Sequence, residues 1–420
     1  MDENSATLTE ELARLALRNS ELTAPRRTAA VRSLFDYCTC VLAANASNEP
    51  SWALDRAGRL SVLAHAQDLD DLHLATATHP GGVIWSAVVP CALEQNANVR
   101  DALASAAYGY EIVIRMAGAL GPRFRQSWHA TTALGIMGAA AAASRLLCSD
   151  EEQLVDALGH AISVSGGSAQ AMIERSETRL LHRAHAASTG VSCARAASSG
   201  LRATRLGLES GRGAFSAARA DTFTQALLVS RSLSALEETG FRLYAATGFA
   251  HSAMDAAAMI GKTEPSAIEN VYAAVSPAAR ANASNRAPLD DDAAWWSVEH
   301  AVASTLTEGS ALAIRRGLAD RADVLDLCGR VELRDGGSDW GADIQVEMAD
   351  GTVRSASTPE PHGHLASPAS SEDLCAKWER LVGGDGSPFL AALSEAADTT
   401  RFYDILREGV RSESALLATA

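Results

Sequence analysis

Eleven consecutive residues, Ala133 to Ala143, read ALGIMGAAAAA, and no other stretch restricts the fold of this chain so strongly. The five alanines at 139–143 carry no bulky side chains, so a helix formed here can be approached closely by its neighbours. The run is also far short of the roughly 20 apolar residues needed to cross a bilayer. It reads as a helix, spanning about 131–146, buried inside a bundle. A chain of 420 residues exceeds what one hydrophobic core supports, which predicts two domains.

From the start to about residue 240 the sequence reads as successive helices with short breaks. Ser149 with Glu152 has the spacing of a capping box, and Leu154, Ala157, Leu158, Ala161 and Ile162 follow at helical spacing. After about residue 265 the period changes. Asn270 to Val275, Arg330 to Arg334 and Ala342 to Met348 read as strands, and Asp350-Gly351 supplies a turn before Thr352 to Ser355. Ile344, Val346 and Met348 alternate with Asp343, Gln345 and Glu347, the pattern of a half-exposed antiparallel sheet. Ala293 to Ala313 reads as a helix between strands, and a Pro/Gly/Ser-rich loop at 358–371 leads to a last helical stretch near Glu372. The fold class expected is mainly α with an α+β part.

Composition excludes several partners. The formal charge is −15 and no block of Lys and Arg occurs, so neither nucleic acid nor an anionic membrane is expected to bind. Seven scattered cysteines without a CxxC pair read as reduced thiols of a cytoplasmic protein. The acidic, amphipathic opening MDENSATLTEELARLAL does not have the pattern of a signal peptide.

Chemistry is expected where acid and base groups concentrate. His65 to Gly81 holds three histidines and three aspartates in seventeen residues and ends on His79-Pro80-Gly81. Such a block suits Mn or Fe ligation as in metal phosphohydrolases, but the HD dipeptide of the best-known such class is missing from the chain. The aspartates read equally as helix caps or solvated loop charges.

The block resembles a signature of the MmgE/PrpD family, H-x-x-D-x-D-D followed by His-Pro-Gly or His-Pro-Ser, here His65, Asp68, Asp70, Asp71 and His79-Pro80-Gly81. Further likenesses follow in order. Tyr108-Gly109-Tyr110-Glu111 with Arg115 is similar to G-Y-E-x-x-x-R. Trp128-His129-Ala130-Thr131 with Gly135, Gly138 and Ala139 is similar to G-F-H-x-T…G…G-A-A. Arg179-Leu180-Leu181-His182 with Ala186-Ala187 resembles K-x-x-H-x-G-x-A-A, and Gly240-Phe241-Arg242 with His251 resembles F-K…H. Ser297 to His300 stands where S-x-x-Tyr is usual, and Gly363 to Lys377 resembles the closing G-x-x-x-x-P…K segment.

The resemblance implies a helical domain from residues 1–240 completed by 371–420, an α+β lid domain at 241–370, and a homodimer. Family members include 2-methylcitrate dehydratases, cis-aconitate decarboxylases and epimerases, commonly working on small di- or tricarboxylates without metal or organic cofactor. A cofactor-independent hydro-lyase of a polycarboxylate is therefore expected. Decarboxylation, isomerisation, or a binding protein that has lost activity are the alternatives. Histidine suits the acid and base roles because its pKa lies near working pH. The resemblance assigns them to His129, His79, His251 and His300, with Asp68 orienting a neighbouring histidine. Arg179, Arg242, His182, Thr131 and Asp71 are the expected substrate-binding residues. Arg179 and Arg242 replace usual lysines, His300 a tyrosine and Leu72 a small hydroxyl residue. Arginine grips carboxylates but does not shuttle protons, so both arginines are expected to be clamps.

Overall fold

The computed structural model describes residues 6–44, 50–52, 55–174, 176–209, 212–213, 235–313, 319–336, 338–410 and 416–417. The helical reading of 214–234 lies outside them. Two units divide the chain, one made of Met1–Thr239 and Ser371–Ala420, the other of Gly240–Ser370.

The first unit begins with α1 (Leu8–Asn19), α2 (Ala24–Ala43), α3 (Arg56–His65), α4 (Gly81–Glu94) and α5 (Val99–Ser127). It continues with α6 (Ala130–Leu147), α7 (Glu151–Val164), the single turn α8 (Gln170–Ile173) and α9 (Thr178–Ser198). The alanine run lies in α6, where every residue from Ala130 to Ser144 is buried. α6 packs on α4, α5, α7 and α9. Small side chains permit this: a Cβ at Gly190 on α9 would lie 2.4 Å from the Ala139 Cβ and 2.8 Å from the Ala140 nitrogen. By length and composition α6 could cross a membrane, but 83% of it is buried against the rest of the chain, as in a core helix. The cap of α7 sits one residue later than the sequence suggests. Asp150, a charged acceptor, caps the Gln153 amide at 2.9 Å, and the Gln153 side chain accepts from the Ser149 amide at 2.8 Å, so Glu152 takes no part.

The second unit contains α10 (His251–Ile260), β1 (Ile268–Val275), α11 (Pro277–Ala283), α12 (Asp291–Trp295), α13 (Val298–Glu308), α14 (Ala322–Gly329), β2 (Val331–Asp335), β3 (Ala342–Met348) and β4 (Val353–Thr358). The expected helix over 293–313 is broken at Trp296, because Ser297 caps α13 by accepting from the His300 amide. The sheet has the order β2-β1-β3-β4. It is mixed, not antiparallel throughout: β1 pairs with β3, and β3 with β4, antiparallel, while β1 and β2 run parallel. Helices α11 to α14 lie between β1 and β2 and form the crossover a parallel pair requires.

The chain closes with α15 (Ser371–Leu381), α16 (Ser387–Glu395) and α17 (Phe402–Gly409) in the first unit. α15 and α16 pack on α2, where Phe35 stacks on Trp378 at a centroid distance of 5.2 Å. The fold is mainly α with a small α+β part. All seven cysteines are free.

Candidate active site

The His/Asp block forms the connection from α3 to α4. It turns first at Asp68, whose φ of +49° lies in the left-handed region that aspartate tolerates better than most residues. It ends in a turn fixed by Asp71. The Asp71 carboxylate accepts from the Gly81 amide at 2.9 Å and from the Tyr110 hydroxyl at 2.5 Å. Tyr110 and Ser33 share a hydrogen bond at 2.7 Å, and Trp85 Nε1 donates to Ser33 Oγ. Only glycine fits at position 81, since a Cβ there would stand 2.5 Å from the Tyr110 oxygen. Burial pushes the Asp71 carboxyl up to about 7, against the Tyr110 hydrogen bond that lowers it. The Asp71 carbonyl accepts from His79 Nδ1 at 2.7 Å. That bond keeps a proton on Nδ1, so Nε2 is the nitrogen that gains or loses one.

Four imidazoles gather beside this turn. His65 Nδ1 donates to Asp70 at 3.0 Å, and Arg183 donates to the other Asp70 oxygen at 3.1 Å and to the His79 carbonyl at 3.4 Å. The His65 and His79 rings are 6.3 Å apart. His129 precedes the first turn of α6. Its ring shares a hydrogen bond with Thr132 at 2.7 Å and lies 3.3 Å, Nδ1 to Nδ1, from His182 on α9. Burial and then the Arg183 charge hold His129 well below the usual histidine range, and the same two causes lower His65 against the pull of Asp70. His182 is lowered by burial, by His185 and by Arg183. Three of the four imidazoles, His65, His129 and His182, are thus pushed toward the neutral form around one buried guanidinium.

His129, His79, Asp68, His182, Thr131, Asp71 and Arg179 all belong to this unit, but not all hold the places expected of them. At His65 the nearer carboxylate is not Asp68, whose oxygen stands 3.7 Å from Nδ1, but Asp70, which makes the hydrogen bond at 3.0 Å. Asp71 has both oxygens engaged in the turn, and Thr131 accepts from the His79 amide at 3.2 Å, so both act on the shape of the loop. Arg179 is half-buried in the first turn of α9, one turn before Arg183, and makes no side-chain ion pair among the described residues.

Arg242, His251 and His300 lie in the second unit and are buried there. His251 Nε2 donates to the carbonyls of Tyr244 and Ala246, both at 3.1 Å, which fixes its ring at the start of α10. Tyr244 also donates to Asp255, which accepts from the His362 amide. His300 on α13 lies 3.4 Å from Ser304 Oγ.

Sequence reasoning passed over Arg183, and gave no role to Asp70 or Tyr110 although both stand in the motifs it quotes. The signal for Arg183 was present: with Ala186, Ala187, Gly190 and Ala194 it forms the inward stripe of α9, an apolar face on which a charge is out of place. His65, Asp68 and Asp70 bring donor atoms within 4.8 Å of one another, a spacing a metal ion accepts. Asp70 is already paired with Arg183, however, so positive charge is supplied there by the protein itself.

Residues 12–225 match a family model described as the MmgE/PrpD N-terminal domain, and residues 244–388 match one described as the MmgE/PrpD C-terminal domain. Among individual proteins, cis-aconitate decarboxylase of Homo sapiens is 25% identical over 339 aligned residues, covering 76% of this chain and 70% of that protein.

Proposed function

Because the chain belongs to the MmgE/PrpD family, we propose that it is a cofactor-independent lyase that removes water from a small polycarboxylate, or from the polycarboxylate part of a larger metabolite. Support comes above all from His129, a buried imidazole held neutral beside a second histidine and a guanidinium. In such a reaction a base takes the proton α to a carboxylate, the C–O bond to the neighbouring carbon breaks, a C=C bond forms, and an acid gives the departing hydroxyl its proton. His129 is assigned the base role. His79 is assigned the acid role: in its protonated form Nδ1–H stays on the Asp71 carbonyl and Nε2–H gives the departing hydroxyl its proton. Arg179 is the carboxylate clamp on this unit. The roles assigned to Arg242, His251 and His300 rest on the family resemblance alone.

One observation favours a second reading, loss of carbon dioxide from an unsaturated tricarboxylate: the similarity to a protein named cis-aconitate decarboxylase. Incubation with a panel of hydroxy-tricarboxylates and unsaturated polyacids, read by mass spectrometry, separates the two. Loss of water supports the first reading and loss of carbon dioxide the second; an unchanged panel overturns both. Activity is expected to survive chelator treatment. His129→Ala is expected to lower kcat by about 10²-fold or more with the melting temperature retained. Retention of most activity would remove His129 from the chemistry.

A further inference from the structure

We propose that Arg183 is a positioning residue for this site: its guanidinium joins the Asp70–His65 pair to the carbonyl of His79 and sets a permanent positive charge among the four imidazoles. The residue is 1% exposed, so its charge serves groups inside the protein. Burying an arginine is costly unless its partners repay it, and here they are a carboxylate of the site loop and the backbone of a site histidine.

The Arg183–Asp70 pair is also directional. Asp70 turns its second oxygen to His65, which gains a carboxylate partner. The guanidinium bears on His129 and His182, which gain a cation. His129 is faced by His182 and Arg183 from α9, by His65 from α3, by His79 from the loop and by Thr132 on its own helix, and the burial and cation effects act together on it. Arg183 lowers His65 as well, but there the Asp70 hydrogen bond pulls the other way, whereas at His129 burial and the cation act together, which keeps His129 free of its proton and available as a base. Environments that push like groups apart are how acid and base roles become assigned.

The inference rests on the lyase reading for its kinetic consequences, but its first test does not. Histidine titration by NMR in the substrate-free protein, with the His129 signal identified by its loss in His129→Asn, is compared for wild type, Arg183→Lys and the double variant Arg183→Met/Asp70→Asn. The double variant removes both charges of the pair together, so it is expected to fold where Arg183→Met alone, which strands Asp70, would not. Its His129 is expected to titrate about one unit higher than in wild type, while in Arg183→Lys it stays near the wild-type position. Once a substrate is in hand, the acid limb of kcat/KM is expected to move by the same amount in the double variant. An unmoved His129 titration in the folded double variant overturns the proposal, and so does Arg183→Lys behaving like the neutral replacement. Absence of turnover on every acid would count against the lyase reading and leave the titration result standing.

Discussion

Position 81 shows how closely single side chains determine this site. Gly81 is the first residue of α4, and its missing Cβ is what lets Tyr110 and Asp71 meet above it. Gly81→Ala forces a carbon to within 2.5 Å of the Tyr110 oxygen and 2.6 Å of an Asp71 oxygen. The expected cost is about 1–3 kcal/mol, read from denaturant midpoints, with a loss of activity because His79 hangs from the Asp71 carbonyl. A stable, fully active variant would show that the turn is not rigid. The density of acid and base groups singled out the His65–Gly81 block in the sequence. Which aspartate does what was not legible there. Spacing treats Asp68, Asp70 and Asp71 alike, and only the left-handed backbone at Asp68 turns the chain so that Asp70 meets His65 and Asp71 meets Gly81.

Among the elements, α15 has the most to hold. Its Lys377 is fully buried and donates to Asp36 on α2 at 2.6 Å and to the carbonyl of Leu69, between Asp68 and Asp70, at 2.7 Å. Lys377→Met leaves Asp36 buried without its cation, so a destabilisation of about 3–5 kcal/mol is expected by urea unfolding. Asp36→Asn in the same chain should recover part of it, and no recovery would mean that the ion pair is not the source. Element types were legible where local pattern decides them. The alanine run gave away α6 and its close neighbours, and alternation gave away β3. Strand direction was not legible, because β1 and β2 become parallel only through the crossover between them. Nor did the sequence around Lys377 point to partners 341 and 308 residues away.

For the molecule as a whole, the buried histidines contribute to the response to acid. His65, His129 and His182 have folded-state values below their ordinary 6.5, so below about pH 6.5 the unfolded chain binds more protons at these groups and their contribution to stability falls as pH falls. Asp71 acts with the opposite sign: raised from 3.8 to about 7, its contribution is present below pH 3.8 and is lost as pH rises toward 7. Glu111 and Asp255 are raised by burial as well and add to the side of Asp71. The histidine contribution is therefore read by difference: the change in urea midpoint from pH 5 to about 7 is expected to be less positive in His129→Asn than in wild type, and equal changes in the two proteins would contradict a depressed His129. The family resemblance supplied the expectation of a unit resumed at residue 371, and the division found between residues 239 and 240 and between 370 and 371 has a consequence in time. A ribosome adds about 5–20 residues per second, so the 341 residues between Asp36 and Lys377 take roughly 17–70 s to make. Throughout that interval the nascent chain holds Asp36 and the Leu69 carbonyl without their cation, and a whole second unit emerges in the meantime. The histidine loop is thus made well before the helix that secures it, and its Leu69 carbonyl meets its buried partner only once α15 arrives.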